Sequence, residues 1–100
     1  MIITAKNLNQ LKKELKPLEG RAILKITRTD SLKNGTFNRV LHKVRQKDLV
    51  LFTGKELSYL EFGKASDIEF LPNSFKIRNC TIQLDKIMSV NEIYLLLNNH

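Results

Sequence analysis

The densest chemistry of the chain lies in nine residues near its middle. The run Arg39-Val-Leu-His42-Lys43-Val-Arg45-Gln-Lys47 holds four permanent cations and one histidine with no acid among them. On a single strand face, residues 39, 43, 45 and 47 would form a row with neighbours about 7 Å apart, or about twice that across Leu41, close to the repeat of phosphates along a nucleic-acid strand. Lys25 and Arg28 precede this run, and Lys76 and Arg78 follow it. A sheet that gathered these eight side chains would make a patch that holds phosphates with little regard to base sequence. The competing reading is a solvated face that keeps a small protein soluble, or a strand edge guarded by charge. Phe37, Phe52, Tyr59 and Phe75 are available to stack on bases, although core packing competes for each.

Other chemistry has less behind it. His42, Cys80 and His100 are the only histidine and cysteine ligands and are widely separated, so neither a metal nor any other cofactor is expected. Cys80 and His42 would supply a nucleophile and a base if the fold joined them, but a lone thiol between strand residues reads better as packing. Glu56, Glu61, Asp67 and Glu69 are acids of the kind that hold divalent ions in nucleases, without a diagnostic spacing. There is no P-loop, dinucleotide glycine fingerprint or paired-cysteine motif. No catalytic residue is assigned, and an enzyme ranks third.

The charge is also unevenly distributed. Up to Lys47 there are twelve Lys and Arg against three acids, and beyond it five against seven. Residues up to Lys47 thus carry +9 and the rest −2, for a net charge of +7, which directs attention to polyanions. Nucleic acid is the leading partner. The alternative is a non-enzymatic adaptor or inhibitor whose basic face meets an acidic protein surface. The start of the chain lacks a basic stretch followed by an apolar run, and the longest apolar run, Ile93 to Leu97, is far short of the roughly twenty residues a membrane helix needs. The expectation is a cytoplasmic protein with no membrane partner. One cysteine leaves no internal disulfide to form.

The elements that must position these groups follow from period. Leu8, Leu11, Leu15 and Leu18 mark an amphipathic helix, with Asn7 and Gln10 as its capping box and Pro17 and Gly20 as its end. Ala22, Leu24 and Ile26 then alternate with Arg21, Lys25 and Thr27 as a half-buried strand, interrupted by Ile23. Asn34-Gly35 is the strongest turn signal. From Thr36 to Asp48 a helix capped by Thr36 also fits Phe37, Val40, Leu41 and Val44. The β-branched residues and the preceding turn favour a strand, with Val40, His42 and Val44 on one face and the cations on the other. Strands follow at Leu49 to Phe52, around Leu57 to Phe62, at Ile68 to Leu71, at Phe75 to Arg78 and at Thr81 to Leu84, with a turn at Pro72-Asn73. Between Ile87 and Leu97 two closing strands compete with a helix capped by Ser89 and Glu92; strands are slightly favoured, ahead of a frayed Asn98-Asn99-His100 tail.

The order of a helix, then Gly20-Arg-Ala-Ile-Leu-Lys-Ile, then Asp48-Leu-Val-Leu, then Lys76-Ile-Arg-Asn-Cys-Thr-Ile resembles the Sm-like RNA-binding proteins, whose N-terminal helix accompanies five bent strands and which form rings. The resemblance covers scattered parts of residues 7–84. Asn79 stands where that family has glycine, and the Asp and Met-Asn of its uridine pocket are missing, so no binding residue is carried over. Taken together, residues 1–100 are expected to form one β-rich α+β domain. Its N-terminal helix packs on a strongly twisted antiparallel sheet or small barrel of about five to seven strands.

Overall fold

The computed structural model describes residues 3–29, 34–89, 91, 92, 94 and 95. Its helix α1 spans Leu8–Leu15 and begins as the sequence indicates. Asn7 Oδ1 accepts from the Gln10 N–H at 2.9 Å, which satisfies one orphan donor of the helix start, and Gln10 Oε1 reaches back past the cap to accept from the Lys6 N–H at 2.9 Å. A 3₁₀ turn, Lys16–Leu18, containing Pro17 winds the helix down. Gly20 then takes φ +74°, a left-handed conformation that a side chain would strain, and this aims its N–H at Leu41 O, 2.7 Å away.

Seven antiparallel strands follow: β1 (Ala22–Thr29), β2 (Asn34–Val44), β3 (Asp48–Phe52), β4 (Leu57–Glu61), β5 (Ile68–Leu71), β6 (Ser74–Ile77) and β7 (Cys80–Ile87). They form one sheet in the order β4-β3-β2-β1-β7-β6-β5, which leaves β4 and β5 as unjoined edges; the sheet is not a closed barrel. Each of two strands carries one extra residue, His42 of β2 opposite Leu51 and Val50 and Asp85 of β7 opposite Ile23 and Leu24, and these irregularities bend the strands on either side of β1. The sheet therefore curls around an inner face. Glu61, at the end of β4, and Arg78, beyond β6, come within 4.0 Å of each other across the opening.

The inner face carries the core. Ala22, Leu24 and Ile26 of β1 are buried with Leu41, Val44, Leu49, Leu51, Phe75 and Ile82, and Leu11 and Leu15 of α1 close over this cluster with no exposed surface. Ile23, out of phase in the sequence, points to the outer face, where it packs with Val40 between Phe52 and Met88. Among the described residues no helix is long and apolar enough to cross a membrane.

The structure departs from the sequence reading at three places. Asn34-Gly35 is not the turn, because Asn34 and Gly35 already pair with Thr29 and Arg28 as the first residues of β2. Gly35 has no positive φ, so pairing along the strand overrides the local turn preference. Residues 36–44 are indeed strand, but the irregularity around His42 puts Val40 on the outer face and Val44 on the inner one. Near the C-terminus, residues 91, 92, 94 and 95 are helical and Ser89 Oγ accepts from the Glu92 N–H at 3.1 Å, so the capping alternative displaces the second closing strand. The Asn98-Asn99-His100 tail lies outside the described residues.

The helical cap is tied to the bend of β2 by one carboxylate. Glu19 accepts from the Val44 N–H at 2.6 Å and from Lys16 Nζ at 3.2 Å. Burial pushes this carboxyl up, but the Val44 and Lys16 hydrogen bonds and the charges of Lys16 and Lys43 outweigh it and hold its pKa below the usual range. Asp48 is lowered as well, chiefly by its hydrogen bonds from Arg45. A depressed folded-state pKa contributes stability that is present above the unfolded value, about 4.3 for Glu and 3.9 for Asp, and is lost as pH falls through the folded value. Melting temperature should therefore drop as the pH is lowered from about 5 towards 3. In Glu19→Gln, which retains an acceptor oxygen, that drop should be shallower. An identical acid limb in the variant would show that Glu19 does not titrate in the folded protein as argued.

Candidate nucleic-acid interface

The curled sheet is filled at one end and open at the other. Around Leu41, Val44, Leu49 and Phe62 the inner face is covered by α1, and the Lys12 ammonium sits 5.5 Å from the centre of the Phe62 ring. Towards Gly35 the helix no longer covers it. Two successive inner rows cross the sheet there, Phe37-Ile26-Ile82-Phe75-Phe70 and Gly35-Arg28-Cys80-Ile77-Ile68. The first is wholly apolar. In the second, Ile68 and Ile77 still belong to the core, but a glycine, an arginine and a cysteine stand in place of large aliphatic side chains on β2, β1 and β7.

What remains is a groove of about 430 Å³. Ile26, Phe37 and Leu51 form its apolar base, residues 58–60 of β4 form one wall, and Arg78, Asn79 and Cys80 form the other. Arg28, Arg39 and Arg78 reach it from β1, β2 and the β6–β7 turn. Arg28 and Arg39 are half-buried, and Arg78 is exposed. The Arg39 guanidinium lies 4.6 Å from the centre of the Phe37 ring and donates to Asn38 O at 2.8 Å. This cation–π contact and the hydrogen bond to Asn38 O together restrict a long side chain.

Arg78 is held by its backbone. Ile77 pairs with Cys80, so Arg78 and Asn79 are the whole of a two-residue hairpin loop, and Arg78 occupies it at φ +56°. It is the only non-glycine residue among those described with a left-handed backbone. Asn or Gly suits such a position, and an arginine there costs about 1–2 kcal/mol. The loop is pinned to β1, because Asn79 O accepts from the Thr29 N–H at 3.0 Å. The Arg78 guanidinium comes within 4.0 Å of the Glu61 carboxylate; both side chains are largely exposed, so the pair is weak.

The eight cations singled out in the sequence are thus divided. Arg28, Arg39 and Arg78 share the groove. Lys25 lies on the opposite face of the sheet, in a row with Asn38, Gln83 and Ser74, and Lys76 lies in the next row with Thr81, Thr27 and Thr36. Lys43 pairs with Val50 on that outer face, since the bulge beside it reverses the alternation that would have aligned it with Arg39. Arg45 is engaged at the β2–β3 turn, where its Nε and Nη2 each donate to Asp48 at 2.7 Å and its guanidinium lies 5.2 Å from the centre of the Tyr59 ring. Lys47 is exposed in the same turn, and its backbone O accepts from the Phe62 N–H. A continuous row of 39, 43, 45 and 47 does not exist.

Some groups were missed. Ser58 and Asn79 bring neutral hydrogen-bonding side chains to the groove, and Cys80 lines it half-buried rather than fully packed. Lys12, Lys13 and Lys16 of the helical segment gather with Arg45 around a shallow depression of about 330 Å³ near Val44. His42 is exposed beside Phe52, whose ring centre is 6.3 Å away, and makes no dyad with Cys80, which faces inward next to Arg28. Among the described residues no three His, Cys, Asp or Glu side chains are grouped so as to hold a metal ion. No family model matches the chain, and no curated protein or solved structure is similar to it at a level that shows kinship. The resemblance to the Sm-like proteins is accordingly taken no further, and the sheet has seven strands where that family has five.

Proposed function

We propose that this protein binds nucleic acid, taking phosphates on the arginines of its groove with little base specificity. The observation that supports this reading is the convergence of Arg28, Arg39 and Arg78, from three separate elements, on one concave site. Arginine presents a planar fork of donors matched to phosphate oxygens, and a concave wall of low dielectric strengthens each contact. The net charge of +7 adds a long-range field that speeds encounter with a polyanion. Serine and asparagine are able to hydrogen-bond any base, which fits weak sequence preference.

Salt dependence tests this directly. Neutralising three phosphates of a single strand predicts a slope of log affinity against log salt of about −2, from roughly −0.7 per phosphate. Fluorescence anisotropy of a labelled oligonucleotide between about 50 and 200 mM salt, the range over which phosphate contacts weaken most visibly, measures it. No binding at the low-salt end would remove the proposal and favour an acidic protein surface as the partner.

A further inference from the structure

We infer, on the footing of that reading, that the groove accepts an unpaired strand one nucleotide at a time and discriminates against duplex. Size is the first argument. A groove of about 430 Å³ falls at the lower end of pockets that enclose a single small ligand, roughly 300–1,000 Å³. That is room for one nucleotide and not for a base pair with its two backbones. The second argument is the Arg39–Phe37 stack. Phe37 and Arg39 both line the groove, and the guanidinium carbon stands over the Phe37 ring, 4.6 Å from its centre, so an aromatic ring and a planar cation are offered together to an entering base. A base lying on an arginine plane is a recurrent way of gripping unpaired nucleotides, and a base in a duplex has both faces already stacked.

The third argument is the arrangement of the remaining groups. Arg28 and Arg78 provide cations beside the stack, and Ser58 and Asn79 offer hydrogen-bonding groups that a paired base could not use on its Watson–Crick edge. Glu61 stands 4.0 Å from Arg78, so a phosphate taken by Arg78 replaces a weak and solvated ion pair. The left-handed conformation of Arg78 adds to this, since strain at a binding loop is where a functional side chain outweighs a local preference.

The test compares a labelled single-stranded oligonucleotide with the same sequence closed into a blunt hairpin duplex, as DNA and as RNA, at one ionic strength. The single strand should bind at least about tenfold more tightly, since only an unpaired base has a face free to lie on the Arg39 guanidinium. Arg39→Lys keeps the charge but removes the plane, and should bring the single-strand affinity to within about threefold of the duplex. The circular dichroism and melting temperature of the variant confirm that it is folded. Equal binding of single strand and duplex by the unmodified protein would overturn the inference while leaving phosphate binding standing; binding of neither would overturn both. A preference that survives in folded Arg39→Lys would also overturn it, since the selectivity would then arise elsewhere.

Discussion

Arg39→Ala combined with Arg78→Gly should lower the affinity for a single-stranded oligonucleotide at least about a hundredfold at low salt, because each lost hydrogen bond to a charged group contributes about 1.5–3 kcal/mol. The two side chains enter the groove from β2 and from the β6–β7 loop, and no bond joins them directly, so their losses should nearly add. Stability should move the other way at Arg78. Its φ of +56° costs nothing to glycine, so Arg78→Gly alone should leave the protein as stable as before or up to about 1 kcal/mol more stable, while weakening binding. The control is Lys25→Ala with Lys76→Ala, which removes the same two charges from the opposite face of the sheet. That pair should cost less than about threefold, the effect of a weaker general field screened over about 10 Å at 0.1 M salt. Equal losses from the two pairs would mean that only net charge matters and that the groove is not the site.

Much of this arrangement could be read from the sequence, and the part that could not has a physical cause. The Asn7 cap and the leucines of α1 depend on contacts within a few residues, so period and residue type were sufficient. Arg28 was also legible as a groove residue. It is in phase with Leu24 and Ile26, and therefore on the buried face, whereas Lys25 is out of phase with them. Reading the strand by its charges alone merged the two. The error in β2 was of another kind. A bulge inserts one residue and flips every side chain beyond it, so the alternation from Arg39 to Lys47 held as far as Leu41 and then failed. Nothing in the residue types at 41–43 announces it. Its support is tertiary: Glu19 accepts from the Val44 N–H just beyond, and Gly20 donates to Leu41 O just before. Arg78 was visible as a cation but not as a loop residue, because its left-handed backbone is imposed by the pairing of Ile77 with Cys80 against its own preference. The site was obscured where long-range pairing overrules local signals, which is where function tends to concentrate strain.

Leu15→Ala should cost about 2–5 kcal/mol. Leu15 and Leu11 have no exposed surface, and they belong to the same cluster as Val44, Leu49 and Phe62, so the removed methyl groups leave a space that the curled sheet cannot collapse to fill. In urea the unfolding midpoint should fall with the slope unchanged, since the surface exposed on unfolding is nearly the same. Leu57→Ala makes the comparison. Leu57 is 46% exposed on the edge strand β4 and should cost no more than about 1 kcal/mol. A loss under about 0.5 kcal/mol in Leu15→Ala would mean that α1 does not cover the core in solution. The same variant also separates stability from binding. The helix is fastened to the far end of β2, through Glu19 at Val44 and Gly20 at Leu41, whereas Arg39 and Phe37 lie towards the other end of that strand. Well below its lowered melting temperature, Leu15→Ala should therefore bind a single-stranded oligonucleotide within about twofold of the unmodified protein, as expected for sites without shared partners. A larger fall in affinity of the folded variant would show that the helix sets the curl of the sheet and, through it, the width of the groove.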